Sequence, residues 1–206
     1  MNHDVIESSS VVKTRNAPRP GASRISAGVT SPAWRNTAKG NFILQQGFAN
    51  PDPALRARQY SALVFQPRIV LIAVVAGILF QSSGVYMALG ALLWWSALFP
   101  RMNPITALYN RTLGSRPGAF RLGPAPAPRR AAETEAGAIA LTIALLIHTR
   151  FTLGAYVLQA ILLAAVLAVF IASFCTGTFL YHLVRGRWTF VRQTLPWASQ
   201  AADRLK

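Results

Sequence analysis

The chain has 206 residues, 52% of them hydrophobic and only 13% charged, outside the usual range for a soluble domain. Its formal charge of +15 is not spread along the chain, because the apolar stretches from Ile69 to Phe99 and from Gly137 to Phe174 hold one charged residue, Arg150. A single cysteine, Cys175, excludes an internal disulfide framework and a cysteine-based zinc site.

Residues 1–60 are rich in Ser, Pro, Asn, Arg and Ala and contain no apolar run long enough for a signal-peptide core. Between Val11 and Gly40 lie Lys13, Arg15, Arg19, Arg24, Arg35 and Lys39 with no acidic residue, the composition of a basic, extended arm. Charge alone suits anionic lipid. Trp34, Phe42, Ile43, Leu44 and Phe48, interleaved with Arg35 and Lys39, add apolar anchors of the kind a partner-binding segment needs.

Residues 61–99 form the first expected transmembrane hairpin. A crossing helix needs roughly 20 residues for a hydrocarbon core of about 30 Å. The run from Ile69 to Phe99 is too long for one crossing and is interrupted by Gln81, Ser82, Ser83 and Gly84. One helix is expected from Ser61 to Phe80 and the next from Gly84 to Phe99, with Trp94 and Trp95 at the cytoplasmic interface. Residues 100–134 read as a basic, Pro-rich cytoplasmic connector, with a short interfacial helix over Ile105 to Leu113 and a stiff extended stretch through Pro124, Pro126 and Pro128.

Residues 135–185 repeat the plan. An apolar run to Ile147 breaks at His148, Thr149 and Arg150, and a second run continues from Phe151, with its helix expected to reach Arg185. Glu133 and Glu135 fall at the start of the third helix as interfacial charges favourable to the helix dipole. Residues 186–206 make a basic tail. Basic arm, connector and tail all belong on the cytoplasmic side, and same-sided flanks require an even number of crossings between them. The expected fold is therefore an all-α membrane protein with four transmembrane helices as two hairpins, in the bacterial inner membrane, with both termini cytoplasmic.

Without hydrophobic drive between helices, close contact through small residues matters inside a bilayer. Ala160, Ala164, Ala168 and Ala172 recur every four residues on the fourth helix, and Ala73 with Gly77 has the same spacing on the first. These are the expected packing positions.

The run Asn103-Pro104, Leu108-Tyr109-Asn110-Arg111, Arg121-Leu122-Gly123-Pro124 and Ser173-Phe174-Cys175-Thr176-Gly177-Thr178 resembles a small bacterial family of four-helix membrane proteins of unknown function, over roughly Tyr60 to Arg187. In that family the end often reads Phe-Cys-x-Gly-Cys, which implies a thiol pair. Here Thr178 stands at the second position, so the implied two-cysteine redox chemistry lacks a partner for Cys175.

Catalytic signals are sparse. The six acidic residues, Asp4, Glu7, Asp52, Glu133, Glu135 and Asp203, all lie outside the confident apolar spans, which removes the main support for an ion-coupled transporter. His182, near the cytoplasmic end of the fourth helix, is the one position suited to ligating a haem or pigment, against the ordinary reading of a solvated interfacial imidazole. Beyond that, lipid or a pigment at the protein surface is the only cofactor chemistry suggested, and the basic residues lack a nucleic-acid reading motif. The functional expectation is a non-catalytic accessory or structural subunit of a larger respiratory or photosynthetic membrane complex, held by helix packing and by the arm. The alternative is a small transporter or redox-linked membrane protein with a polar path through Gln81, Ser82, Thr142, Gln159 and Thr176.

Overall fold

A computed structural model describes residues 37–48 and 53–195, and the elements among them are helical. In chain order they are α1 (Ala38–Gln45), α2 (Pro53–Leu63), α3 (Phe65–Phe80), α4 (Ser83–Leu98), a 3-10 turn (Pro100–Met102), α5 (Pro104–Thr112), α6 (Ala127–His148), α7 (Thr152–Ala172), α8 (Thr176–Val184) and α9 (Trp188–Thr194).

The helices α3, α4, α6 and α7 form two hairpins packed into a bundle, α4 lying along α6 and α3 along α7. Both hairpin turns fall at the polar interruptions. Gln81 takes a left-handed conformation (φ 44°) that ends α3, and Ser82 caps α4 by accepting a bond from the Val85 N–H. The second turn is made by Thr149 and Arg150 (φ 59°). Gln81 and Gln159 bond through their side-chain amides at 3.4 Å, tying the first turn to α7.

The core between the hairpins is made by Val70 and Val74 of α3, Tyr86, Leu89 and Leu93 of α4, Ala140 and Ile143 of α6, and Leu162 and Val166 of α7. Two close approaches shape it. Gly77 leaves room for the Tyr86 ring, whose hydroxyl donates to the Val74 carbonyl at 3.2 Å. Where α4 crosses α6, Gly90 and Gly137 face each other; a Cβ on Gly90 would lie 3.0 Å from the Gly137 carbonyl oxygen, and one on Gly137 would overlap Trp94.

Three stretches are long and apolar enough to cross a membrane: Leu55–Phe80, Ala127–His148 and Thr152–Ala172. α4 is shorter, with 16 residues, about 24 Å at 1.5 Å per residue. The outward faces of these helices are apolar: Ile72, Leu79, Phe80, Leu153 and Ile171 are each at least 70% exposed. In water such a surface would aggregate; hydrocarbon solvates it.

The first crossing stretch is not one smooth helix. Pro67 has no N–H to offer the Leu63 carbonyl, so the helix breaks at Val64, where α2 passes into α3. The fourth helix also ends earlier than its hydropathy implies. Ser173 adopts φ 49°, the Phe174 N–H returns to the Ala168 carbonyl, and the chain restarts as α8, which packs on α6 instead of continuing to Arg185. In the other direction, α6 begins at Ala127, inside the expected connector, with Pro128 in its first turn where a missing N–H costs nothing.

The late arm is helical and folds onto the chain's own body. Thr37 caps α1, and the Phe42 and Ile43 side chains are buried with Leu63, Val64, Tyr109 and Val169. The Phe42 ring meets Tyr60 edge-on at 5.5 Å. The short helix expected over Ile105 to Leu113 forms as α5, its first turn fixed by Asn103 Oδ1, which accepts from the Ile105 and Thr106 N–H groups at 3.0 Å each. Asn110 then makes two bonds to the backbone of Leu122, which turns the connector back toward α6.

Candidate functional site

The first two turns of α6 place Arg129 and Glu133 four residues apart on one face, with Arg129 Nε 3.4 Å from Glu133 Oε1. Their side chains are only 7% and 4% exposed. The same guanidinium donates through Nη2 to Gln66 Oε1 at 2.7 Å, so the start of α3 is held against the start of α6. Arg130 turns the other way and donates from Nε to the Ala97 carbonyl at the end of α4, at 2.7 Å. α8 closes the fourth side: a Cβ on Gly177 would lie 2.8 Å from the Ala132 Cβ and 2.9 Å from Glu135 Oε2.

Beside this polar brace lies a cleft of about 120 Å³, lined on its apolar side by residues such as Val70, Leu93, Ile139, Leu162 and Val166, and at its polar end by Gln66, Arg129, Glu133 and Glu135. Glu133 Oε2 is buried and makes no hydrogen bond of good geometry, with the Gln66 side chain lying beside the carboxylate. A charge set this deep in an apolar helix is costly, and it persists where it is paired or where it holds something.

Glu133 therefore differs from the expectation of an interfacial helix-dipole charge: α8 and the Gln66 end of α3 cover it. Glu135, two residues on, is partly exposed. The signal for the pair was in the sequence, since Arg and Glu at positions i and i+4 immediately before an apolar run place both charges on one helix face. Their burial was not legible, because it depends on α8 folding back.

The expected packing residues divide. Gly77 and Ala73 lie in or against the core between the hairpins. On α7 the buried stripe is Ala155, Gln159, Leu162, Val166 and Val169, whereas Ala160 and Ala164 are exposed and Ala168 and Ala172 half-buried. The alanine ladder thus does not form the seam of this chain's own bundle; larger side chains a turn away do. Gly90 and Gly137, which make the tightest crossing, do not belong to any long small-residue repeat.

Of the arm positions, Trp34 and Arg35 lie outside the described residues. Phe42 is 1% exposed and fills the chain's own core, which corrects its assignment as a partner anchor. Phe48 is half-buried against the same cluster. Lys39 is exposed, its ammonium 5.4 Å from the centre of the Tyr60 ring.

His182 is buried, not solvated at the interface. Its Nε2 lies 3.1 Å from the Gln45 carbonyl oxygen, and as the oxygen can only accept, Nε2 carries the proton. Its Nδ1 is enclosed and unpartnered, and the ring packs on Phe190 at 4.5 Å. Burial holds the imidazole below its ordinary pKa, with Arg187 adding to the fall and the Gln45 bond opposing it. A haem or pigment ligand would need an open lone pair; this one is walled in. Gln45 itself, unnoticed in the sequence, is the hub of the cap that α1, α8 and α9 form: its side chain donates to the Thr194 carbonyl at 2.9 Å and accepts from the Cys175 N–H at 3.4 Å. Among the described residues no group of three or more His, Cys, Asp or Glu is placed to hold a metal ion.

The fold and site define an all-helical protein with helices able to cross a membrane and a buried ion pair at one end of the bundle. Residues 61–186 match the family model described as a domain of unknown function, DUF4395, and the chain belongs to that family. The match spans both hairpins, the connector and α8. No curated protein and no solved structure matches the chain.

Proposed function

We propose that the chain is a four-crossing protein of the bacterial inner membrane, with both termini cytoplasmic, that serves as a non-catalytic subunit of a larger membrane assembly. The fourth crossing is α4, short enough to need a locally thinned bilayer. Orientation rests on the basic residues of the arm, connector and tail.

The observation that carries the subunit reading is the second face of α7. One face is already committed to the bundle, yet Ala160 and Ala164 remain on the outer surface and leave a shallow, small-residue strip. In hydrocarbon such a strip permits close approach of a foreign helix. The arm does not act as the clamp through Phe42, since that ring is already buried; docking falls to α7. The test is purification in mild detergent from the native membrane. Stoichiometric partners are expected with the natural chain and are lost with Ala164→Leu, while the variant's own melting temperature is unchanged because the residue is outside the core. Absence of stoichiometric partners, or their retention by Ala164→Leu, overturns the reading.

A second reading, a membrane protein that handles a small molecule, is favoured by the Arg129–Glu133 pair at the end of the cleft, because ionisable groups at membrane depth commonly mark such sites.

A further inference from the structure

The cleft beside the brace has three properties that together specify a ligand class. Its walls are mostly apolar, contributed by α3, α4, α6 and α7, so they suit a hydrocarbon body and give water few partners. At its polar end, beside the partly exposed Glu135, the Glu133 carboxylate is 4% exposed and has one oxygen bonded to Arg129 and the other, next to the Gln66 side chain, without a hydrogen bond of good geometry. The edge of the cleft reaches the surface near Thr176, which is exposed, with Ala136, Ile139 and Ala165 half-exposed between there and the interior.

An unpartnered carboxylate oxygen accepts and cannot donate, so the head group must supply an O–H or N–H. The formal charges lining the polar end are those of Arg129, Glu133 and Glu135, and the first two already neutralise one another. A carboxylate or phosphate head would meet Glu133 and Glu135 with like charge. A cationic head would carry its own desolvation cost to Glu133, which Arg129 already pairs, while the remaining carboxylate, Glu135, is partly exposed and met by water. A neutral hydroxyl satisfies Glu133 Oε2 and adds no charge.

We propose that this cleft binds a neutral amphipathic molecule with a hydroxyl head and an apolar chain, entering beside Thr176, with its hydroxyl donating to Glu133 Oε2 and its chain running between α6 and α7. This assignment goes beyond the subunit reading and does not depend on it, because the cleft and the outer alanine strip lie on different faces of α7.

The experiment uses the full chain in lipid nanodiscs and four photoreactive probes matched to the size of the cleft, each with a mid-chain diazirine: hexanol, its methyl ether, hexanoate and hexylamine. Peptide mapping after illumination is expected to find hexanol on cleft residues such as Ile139, Leu162 and Val166. Labelling should exceed that by the methyl ether about fivefold, the discrimination expected from one hydrogen bond. Ala165→Phe, which fills the cleft without touching the brace, should abolish that labelling while leaving the melting temperature near that of the natural chain. Glu133→Gln should reduce the preference of alcohol over ether. Equal labelling by alcohol and ether, stronger labelling by the amine or the acid, or labelling of the cleft undiminished by Ala165→Phe, each overturns the proposal. Loss of the α7 partner in Ala164→Leu would leave it untouched, so the two readings fail separately.

Discussion

Removing Glu133 isolates the energetic role of the brace. In Glu133→Ala the guanidinium of Arg129 stays buried with Gln66 as its remaining side-chain partner. Breaking a buried pair from one side typically costs about 3–5 kcal/mol, because a charge is left uncompensated. The Arg129–Glu133 separation of 3.4 Å is longer than the 2.7–2.9 Å typical of a strong charge-assisted bond. The retained Gln66 bond also shields the guanidinium, so the loss should fall near the lower end, about 3 kcal/mol. Replacing both partners with apolar residues, Arg129→Met with Glu133→Leu, removes the stranded charge and should cost less than Glu133→Ala alone. Arg129→Met alone leaves a buried carboxylate and should cost at least as much as the double variant. The measurement is denaturation of the purified protein in detergent, followed by tryptophan fluorescence, for the natural chain, both single variants and the double. If the double variant loses as much stability as the two singles added together, the two charges are not coupled and the brace is not an ion pair.

Phe42→Ala should cost about 3–5 kcal/mol of docking for a buried ring, read out as faster proteolysis in the arm with the bundle's helicity intact. Gly90→Ala combines a gain of about 1 kcal/mol in helix propensity with overpacking of about 1–3 kcal/mol. Because the new Cβ would lie 3.0 Å from a backbone oxygen, overpacking should win and the melting temperature should fall; an unchanged or raised value would show that the crossing can relax. His182 has a folded pKa below its unfolded value of about 6.5, so the folded cap binds fewer protons than the unfolded chain. Its contribution is fully present above about pH 6.5 and is lost as pH falls from there toward the folded pKa. The protection of α1 amides, corrected for their intrinsic exchange rate, should therefore fall on acidification in the natural chain and lose that dependence in His182→Gln. Labelling of single-cysteine variants should find Ser83 and Thr149 outside and Ser115 inside; finding Ser83 and Ser115 on one side would dismiss the two-hairpin topology.

The turns were legible because each interrupts a long apolar run with groups that a bilayer excludes: Gln81 to Gly84 in one hairpin and His148 to Arg150 in the other. The helix capped by Asn103 was legible for a local reason as well, an Asn-Pro pair opening a short amphipathic stretch. The end of α7 was not, because Phe174, Leu180 and Val184 keep the chain apolar past the left-handed turn at Ser173, and hydropathy carries no record of a change in direction. The folding of the arm was hidden for another reason. Its decisive bond, from Gln45 to Thr194, joins residues 149 positions apart, and nothing near either residue announces the other.

The same contrast explains why the alanine ladder is not the seam of this chain's own bundle and why Glu133 is not a surface charge. A four-residue repeat of small side chains establishes that one helix face is smooth, but the bundle of a single chain has to fill its interior with volume. α7 accordingly turns Leu162, Val166 and Val169 inward and leaves Ala160 and Ala164 outside. The acidic residues at the start of α6 presented the opposite problem. Their positions in the sequence, beside Arg129 and Arg130 and ahead of the apolar run, are those of an interfacial surface. Glu133 is covered by the Gln66 end of α3 and by α8, which can lie close to Ala132 and Glu135 of α6 because position 177 has no side chain. One glycine after the apolar run thus sets how closely α8 approaches the second turn of α6, and a Gly177→Val substitution that pushed α8 away should loosen that side of the cover over the buried pair, while Gln66 stays in place on the other.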